Sequence, residues 1–110
     1  MMDNVLLSKE NLNIRNFKGE NIPVEYSLEQ NYPNPFNPTT TIRYQLPNDG
    51  MVTLKVYDIL GAEVATLVNE EKIAGRYEVN FDASRLASGV YIYRLQANDF
   101  ISVRKMVLLK

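Results

Sequence analysis

Apolar and polar residues alternate over several short stretches of the chain, and turn residues separate the stretches. Residues 40–46, for example, place Ile42, Tyr44 and Leu46 on one side and polar or charged residues on the other. A period of two is that of a half-buried β-strand, because successive side chains point to opposite faces of a sheet. The pattern predicts these inward-facing residues: Ile42, Tyr44, Leu46, Val52, Leu54, Val56, Tyr77, Val79, Phe81, Tyr91, Tyr93 and Leu95.

Turn residues divide this pattern into about seven strands, and no stretch predicts a long helix. We expect a turn at 47–50, where Asp49-Gly50 tolerates positive φ, another at Gly61, and a tight hairpin at Asn98-Asp99. The sequence therefore predicts an all-β fold, an immunoglobulin-like antiparallel β-sandwich.

Two connections are less regular. A strand predicted over 62–68 is followed by a charged loop that Gly75 closes. Residues 83–89 are too many for a tight hairpin and too few for a crossover helix. We expect them to join the two sheets, with one helical turn at 84–86.

Residues 1–23 are weakly patterned and rich in asparagine, and they are predicted to be a tail or linker. A short strand over 13–17 is an open alternative. The sandwich is expected to occupy residues 24–110.

A proline-rich segment precedes the first long strand. Its prolines withdraw amide donors and push the preceding residues into extended conformation, which excludes a helix. We expect an extended strap along a sheet edge, anchored by Tyr32 and Phe36. It is either a cover against edge-to-edge aggregation or a docking surface for a partner. The segment consists of Tyr32, Pro33, Asn34, Pro35, Phe36, Asn37 and Pro38.

The chain has neither cysteine nor histidine, and its net charge is −1. Thiolate and imidazole chemistry are therefore absent, and no basic surface for nucleic acid is expected. Asp49, Asp58, Asp82 and Asp99 fall at predicted turns, where such residues commonly bond their own backbone. We predict no enzyme activity, no metal and no cofactor. The longest apolar runs are too short to span a membrane, and the opening residues do not have the pattern of a secretory signal peptide.

Several segments, in this order, resemble the C-terminal sorting domains (type A) of the type IX secretion system. They are the run from Tyr26 to Thr40, Val56-Tyr57-Asp58-Ile59-Leu60-Gly61 with Glu63-Val64, the run Ser88 to Leu95, and Lys105 to Lys110. The resemblance covers 24–110 and extends more loosely to the immunoglobulin-like domain of flagellar hook-capping proteins.

The resemblance implies an address label on an exported protein, which passes the periplasm and outer membrane to the cell surface or the medium. An upstream cargo domain would carry the label, an outer-membrane translocon would recognise it, and a sortase-like protease would remove it. The alternatives are a structural or adhesive immunoglobulin-like module of a surface protein and, third, a carbohydrate-binding sandwich. A carbohydrate binder would need an exposed aromatic row, whereas Tyr77, Tyr91 and Tyr93 are predicted to point inward.

The last strand is the first candidate for recognition. Met106 and Leu108 are predicted to be buried, while the charges of Arg104, Lys105 and Lys110 are presented together with an apolar strand edge. The strap is the second candidate. The recognition segment is predicted to comprise Arg104, Lys105, Met106, Val107, Leu108, Leu109 and Lys110.

Overall fold

The structure, a computed structural model, describes residues 22–110. In this part the chain forms seven strands: β1 (Ser27–Leu28), β2 (Thr39–Leu46), β3 (Gly50–Asp58), β4 (Glu63–Lys72), β5 (Gly75–Asp82), β6 (Gly89–Ala97) and β7 (Phe100–Leu108). The linker assigned to 1–23 and the alternative strand over 13–17 lie almost wholly outside the described residues. Among residues 22–110, no helix has the length and apolar character that a membrane crossing requires.

The strands form two antiparallel sheets. One sheet has the order β1-β2-β5 and the other the order β4-β3-β6-β7. The inner faces of both sheets share one apolar core, so the predicted sandwich is confirmed. The predicted alternation is confirmed as well, because the inward positions of β2, β3 and β6 are all buried. On β5 only Phe81 is fully buried, and Tyr77 and Val79 pack at the rim of the core.

The predicted charged loop after Val68 is wrong. β4 continues to Lys72, and residues 69–72 pair with the first four residues of β3. β4 is an edge strand with one face in water, so its charged side chains do not prevent pairing. Glu70, Glu71 and Lys72 also make the exposed edge a poor template for another chain.

The connection at 47–50 crosses between the sheets and does not form a hairpin. Gly50 does not adopt positive φ, so the conformational reason expected for it is wrong. A Cβ at Gly50 would instead displace the side-chain amide of Asn98, which donates to the Tyr26 hydroxyl and the Asp49 carbonyl. Asn98 itself has φ 52°, which fits the predicted tight hairpin at Asn98-Asp99.

The other predicted turns are confirmed. Gly61 adopts φ 89°, a left-handed conformation that favours glycine. Residues 83–89 join β5 in one sheet to β6 in the other, and the Leu86 N–H donates to the Ala83 carbonyl at 3.0 Å. This bond closes the single turn expected there.

The stability of the fold at alkaline pH should depend on Tyr44. This buried residue of β2 stacks on Tyr77 with 5.4 Å between ring centroids. Burial, and in smaller measure the neighbouring Tyr77, raises the pKa of Tyr44 from 10.0 to about 12. A raised pKa stabilises the fold below the unfolded value and loses that effect as pH rises to the folded value. We expect this residue to lower the free energy of unfolding by about 2 kcal/mol between pH 10 and 12.

Urea unfolding at intervals from pH 9 to 12 measures this effect, and Tyr44→Phe should flatten the upper part of the curve. Tyr57→Phe, on the outer face of β3, is the matched control and should keep the parental slope. Equal slopes for the parent and Tyr44→Phe would show that this residue does not carry the effect.

Candidate functional site

In the structure the strap begins one residue earlier, at Asn31; residues 31–38, called the strap from here on, cross from one sheet to the other. Near the start of the strap, Tyr32 forms an antiparallel bridge with Thr41 of β2. Further along, Phe36 forms a parallel bridge with Leu108 of β7. The strap therefore closes the side of the sandwich on which β7 is the edge strand. The extended edge cover expected from the prolines is what the structure shows.

The strap and Gln30 bond backbone groups along the C-terminal half of the outer edge of β7. Oδ1 of Asn34 accepts a hydrogen bond from the Val107 N–H at 2.9 Å, and the Val107 carbonyl accepts one from the Phe36 N–H at 2.9 Å. The Phe36 carbonyl in turn accepts the Leu109 N–H at 3.0 Å. Nε2 of Gln30 donates to the Lys105 carbonyl at 2.7 Å.

These contacts bring the two predicted recognition segments together as one surface. The edge of β7 is therefore already paired at its C-terminal half. An incoming strand could pair with Val107 only by displacing the strap.

The anchors of the strap differ in part from those predicted. Phe36 is 2% exposed and packs on Phe81 with 6.2 Å between ring centroids, so its anchoring role is confirmed. Tyr32 is 74% exposed, and its expected anchoring role is wrong. Its backbone pairs with Thr41, which turns the ring outward to solvent.

Asn31 takes the place expected for Tyr32, and the sequence analysis missed it. Its side chain is buried, and Nδ2 donates to the Pro33 carbonyl at 3.1 Å and to Oγ1 of Thr40 at 3.0 Å. The Thr40 hydroxyl itself donates to the Pro33 carbonyl at 2.8 Å. A buried amide with its partners in place fixes the conformation of the backbone that it bonds.

The hydroxyl of Tyr93 connects the backbone at the start of the strap to the core. Tyr93 lies on β6 and is fully buried; its hydroxyl accepts the Asn31 N–H at 2.7 Å and donates to the Glu29 carbonyl at 2.7 Å. Burial raises the pKa of Tyr93, which keeps the hydroxyl protonated and able to donate. The core therefore positions the start of the strap through Tyr93, in addition to the contact of Phe36 further along.

The last residues alternate as predicted. Met106 and Leu108 are fully buried in the core, and Arg104, Lys105, Leu109 and Lys110 are exposed. Two of the exposed residues are tied to the body of the domain. Nε of Arg104 donates to the Leu28 carbonyl at 2.6 Å, and Nζ of Lys110 donates to the Ser84 carbonyl at 2.6 Å.

The electrostatics near Lys110 include one carboxylate. The pKa of Asp82 is lowered chiefly because this carboxylate accepts the Ser84 N–H at 2.9 Å. The positive charges of Arg85 and Lys110 contribute less. Asp82 therefore stays ionised and holds the connection against which Lys110 lies.

The expected bonding of turn aspartates to their own backbone is confirmed for Asp58 and Asp82. Asp49 instead accepts the N–H of Ala74, 25 residues further along the chain, at 2.7 Å. Within residues 22–110 no three acidic side chains converge on a possible metal position. A cavity of about 300 Å³ beside the strap is lined by Pro33, residues 39–41 and Asn80. Its lining carries hydroxyl and amide groups and no ionisable side chain. Tyr91 and Tyr93 are buried as expected, and Tyr77 is partly buried.

The model of the secretion system C-terminal sorting domain family matches residues 30–109. Dimeric latent PorU from Porphyromonas gingivalis has a TM-score of 0.58 and 18% identity, over 79% of this chain and 10% of that chain. PorZ, an essential surface component of the type IX secretion system of the same organism, has a TM-score of 0.51 and 22% identity, over 77% of this chain and 11% of that chain. The chain thus spans about a tenth of the length of these two proteins, and the likeness shows a shared fold. The comparison with curated proteins gave no match.

Removing the Tyr93 hydroxyl should destabilise the backbone at the start of the strap. Tyr93→Phe leaves the Asn31 N–H and the Glu29 carbonyl without this partner, at a cost of about 1–3 kcal/mol in the free energy of unfolding. Amide hydrogen exchange at Asn31 and Val107 should quicken more than exchange in the centre of β6.

Tyr91→Phe is the matched control, because the Tyr91 hydroxyl makes one bond, to the Ala87 carbonyl, away from the strap. Urea unfolding gives the free energy of unfolding of both variants, and hydrogen exchange gives the protection of their amides. Unchanged protection at Val107 in Tyr93→Phe would contradict the role assigned to this hydroxyl.

Proposed function

The chain belongs to the family of secretion system C-terminal sorting domains, and from this premise we propose that the strap and the last strand are read together by an outer-membrane translocon. Domains of this family are sorting signals of the type IX secretion system and are not a family of enzymes. Membership implies export to the cell surface or secretion. The proposal concerns the surface that serves as the signal and the partner that reads it.

The observation that carries the proposal is the junction of the strap with β7. Asn34 and Val107 are 73 residues apart in the sequence and meet through one hydrogen bond. This combination of side chains exists only in the folded domain. A partner that reads it therefore selects molecules whose two sheets have already packed, which a linear C-terminal motif would not achieve.

The exposed side chains at this junction suit recognition by a protein. Lys105, Leu109 and Lys110 project from the last strand, and Tyr32 projects from the strap. An aromatic ring, an aliphatic side chain and two ammonium groups can fill apolar pockets and pair with carboxylates. Met106 and Leu108 hold these groups in place from the core and are not themselves available to the translocon.

We place the cargo upstream of the sandwich and the cut of a sortase-like protease before Val24. From Glu25 onward the backbone is attached to the domain: Gln45 Nε2 donates to the Glu25 carbonyl at 3.0 Å, and Ser27 and Leu28 form β1. Proteases need an extended backbone that is not already paired. Residues 1–23 supply a stretch without strand patterning between cargo and label.

Reversing charges on the last strand should separate recognition from folding. In Lys105→Glu with Lys110→Glu, the exposed charges contribute no more than about 1 kcal/mol each to stability, so the melting temperature should stay near that of the parent. A reporter fused ahead of the label should accumulate in the periplasm of a bacterium that has a type IX system. Fractionation of the reporter between periplasm, surface and medium measures this.

The matched control is the double variant Arg43→Glu and Lys72→Glu, which reverses two positive charges elsewhere on the surface. Each of these substitutions removes one surface ion pair. This control should be exported at the parental level. Parental export of the Lys105 and Lys110 variant would move the search for the recognised groups to the strap, first to Tyr32. Loss of export in both double variants would indicate an effect of net charge alone.

Limited proteolysis should cut the purified chain first before Val24. The reason is that the backbone from Glu25 onward is hydrogen-bonded to β2 and covered by neighbouring strands. A brief digestion with a protease of broad specificity, followed by mass measurement, locates the first cuts. Primary cuts between residues 40 and 97 with the first 23 residues intact would contradict the proposed junction.

A further inference from the structure

The turn between β3 and β4 exposes two large apolar side chains side by side. Ile59 is 72% exposed and Leu60 is 89% exposed. Single apolar residues on a surface are ordinary, but two adjacent aliphatic side chains at the tip of a turn present a compact apolar projection. We propose that Ile59 and Leu60, the apolar tip, insert into an apolar pocket of the protein that reads the strap and the last strand; this inference rests on the proposed function.

The turn that carries the apolar tip is held rigidly by its own hydrogen bonds. Oδ1 of Asp58 accepts the N–H groups of Leu60 and Ala62 at 2.9 and 3.0 Å. The Asp58 backbone also accepts the Gly61 N–H and donates to the Ala62 carbonyl. Gly61, at φ 89°, supplies the conformation that closes the turn. The two side chains are thus presented in a fixed geometry, which lowers the entropy cost of docking.

The apolar tip lies at the same end of the sandwich as the C-terminal residues. Asp58, the last residue of β3, pairs with Tyr91 of β6, and Tyr91 pairs with Met106 of β7. Neighbouring strands are about 5 Å apart, so the base of the turn is about 10 Å from β7. Exposed Leu109 lies just beyond β7 at this end. One partner can therefore contact the tip and the end of the last strand together.

The charges at this end indicate the chemistry of the pocket. The two acidic groups next to the tip are already engaged: Asp58 holds the turn, and Glu63 pairs with Lys55 at 3.3 Å. Arg85 and Lys110 lie near the ionised Asp82 carboxylate, so the charges on the connection before β6 are mixed. Because the acidic groups beside the tip are already paired, a pocket with an apolar floor and an uncharged polar rim is complementary to this arrangement. An anionic membrane surface fits less well, because inserting the tip would bring the carboxylates of Asp58 and Glu63 to the lipid phosphates.

The experiment fuses a reporter ahead of the full chain and compares the double variant Ile59→Thr and Leu60→Thr with a matched control, the double variant Met51→Thr and Ile73→Thr. The control residues are 46% and 71% exposed and lie near the opposite end of β3, away from both the tip and the last strand. Both variants should melt like the parent because the replaced side chains are exposed. Export of the tip variant should fall by about tenfold or more, since buried apolar anchors dominate such contacts. The control variant, and the conservative change Ile59→Leu with Leu60→Ile, should be exported at the parental level.

Parental export of the tip variant would overturn the inference, as would an equal fall in the control. Binding of the purified parent, but not of the tip variant, to vesicles of phosphatidylethanolamine and phosphatidylglycerol would overturn it in favour of lipid. The charge-reversal variant of Lys105 and Lys110 in the same assay separates the two proposals. If that variant fails while the tip variant is exported normally, only the inference about the tip is wrong. If the parental label does not export the reporter, the proposed function itself is wrong.

Discussion

The backbone N–H and carbonyl groups on the outer edge of β7 need hydrogen-bond partners. The structure of the surrounding surface depends on which residues supply them. An edge strand exposes N–H and carbonyl groups that invite pairing with another chain. Here an irregular segment meets those groups, with the Asn34 side chain, the Phe36 backbone and the Gln30 side chain as partners. Because its prolines lack N–H groups, the strap closes the C-terminal half of the edge without becoming a regular edge strand itself. Protection against aggregation and presentation of a surface thus come from the same residues.

This arrangement makes the surface an outcome of core packing. Tyr93 lies in the centre of the four-stranded sheet, yet its hydroxyl bonds the backbone on both sides of Gln30. Phe36 enters the core from the strap, and Leu108, which pairs with it, enters from β7. A change in the core therefore moves the strap, and a domain with a disordered core would lose the surface. In the proposed function, a sorting signal built in this way reports that its own domain has folded.

The alternation of apolar and polar residues predicted most of the fold. When one face of a sheet is buried, every second residue of a strand has to be apolar, as in β2, β3 and β6. It did not predict the extension of β4, since an edge strand tolerates charged residues at positions where a loop is equally plausible. It also assigned the anchor to Tyr32 when Asn31 is the buried residue. Hydrophobicity favours the tyrosine, and only the positions of Thr40, Pro33 and Tyr93 show that the amide has partners there. Likewise, the sequence identified the strap and the last strand separately, and the contact between residues so far apart needed the fold.

The two ends of the domain have different roles in this geometry. At one end Tyr26 stacks on Phe100 with 5.0 Å between ring centroids, and the chain that precedes the sandwich leaves from there. At the other end lie the apolar tip, Leu109 and Lys110. β6 has nine residues, so the ends are about 30 Å apart. In the proposed function, a partner that holds the second end does not cover the first, so the proposed junction with the cargo stays accessible to a protease while the label is bound. Recognition and removal can therefore follow one another without release of the label in between.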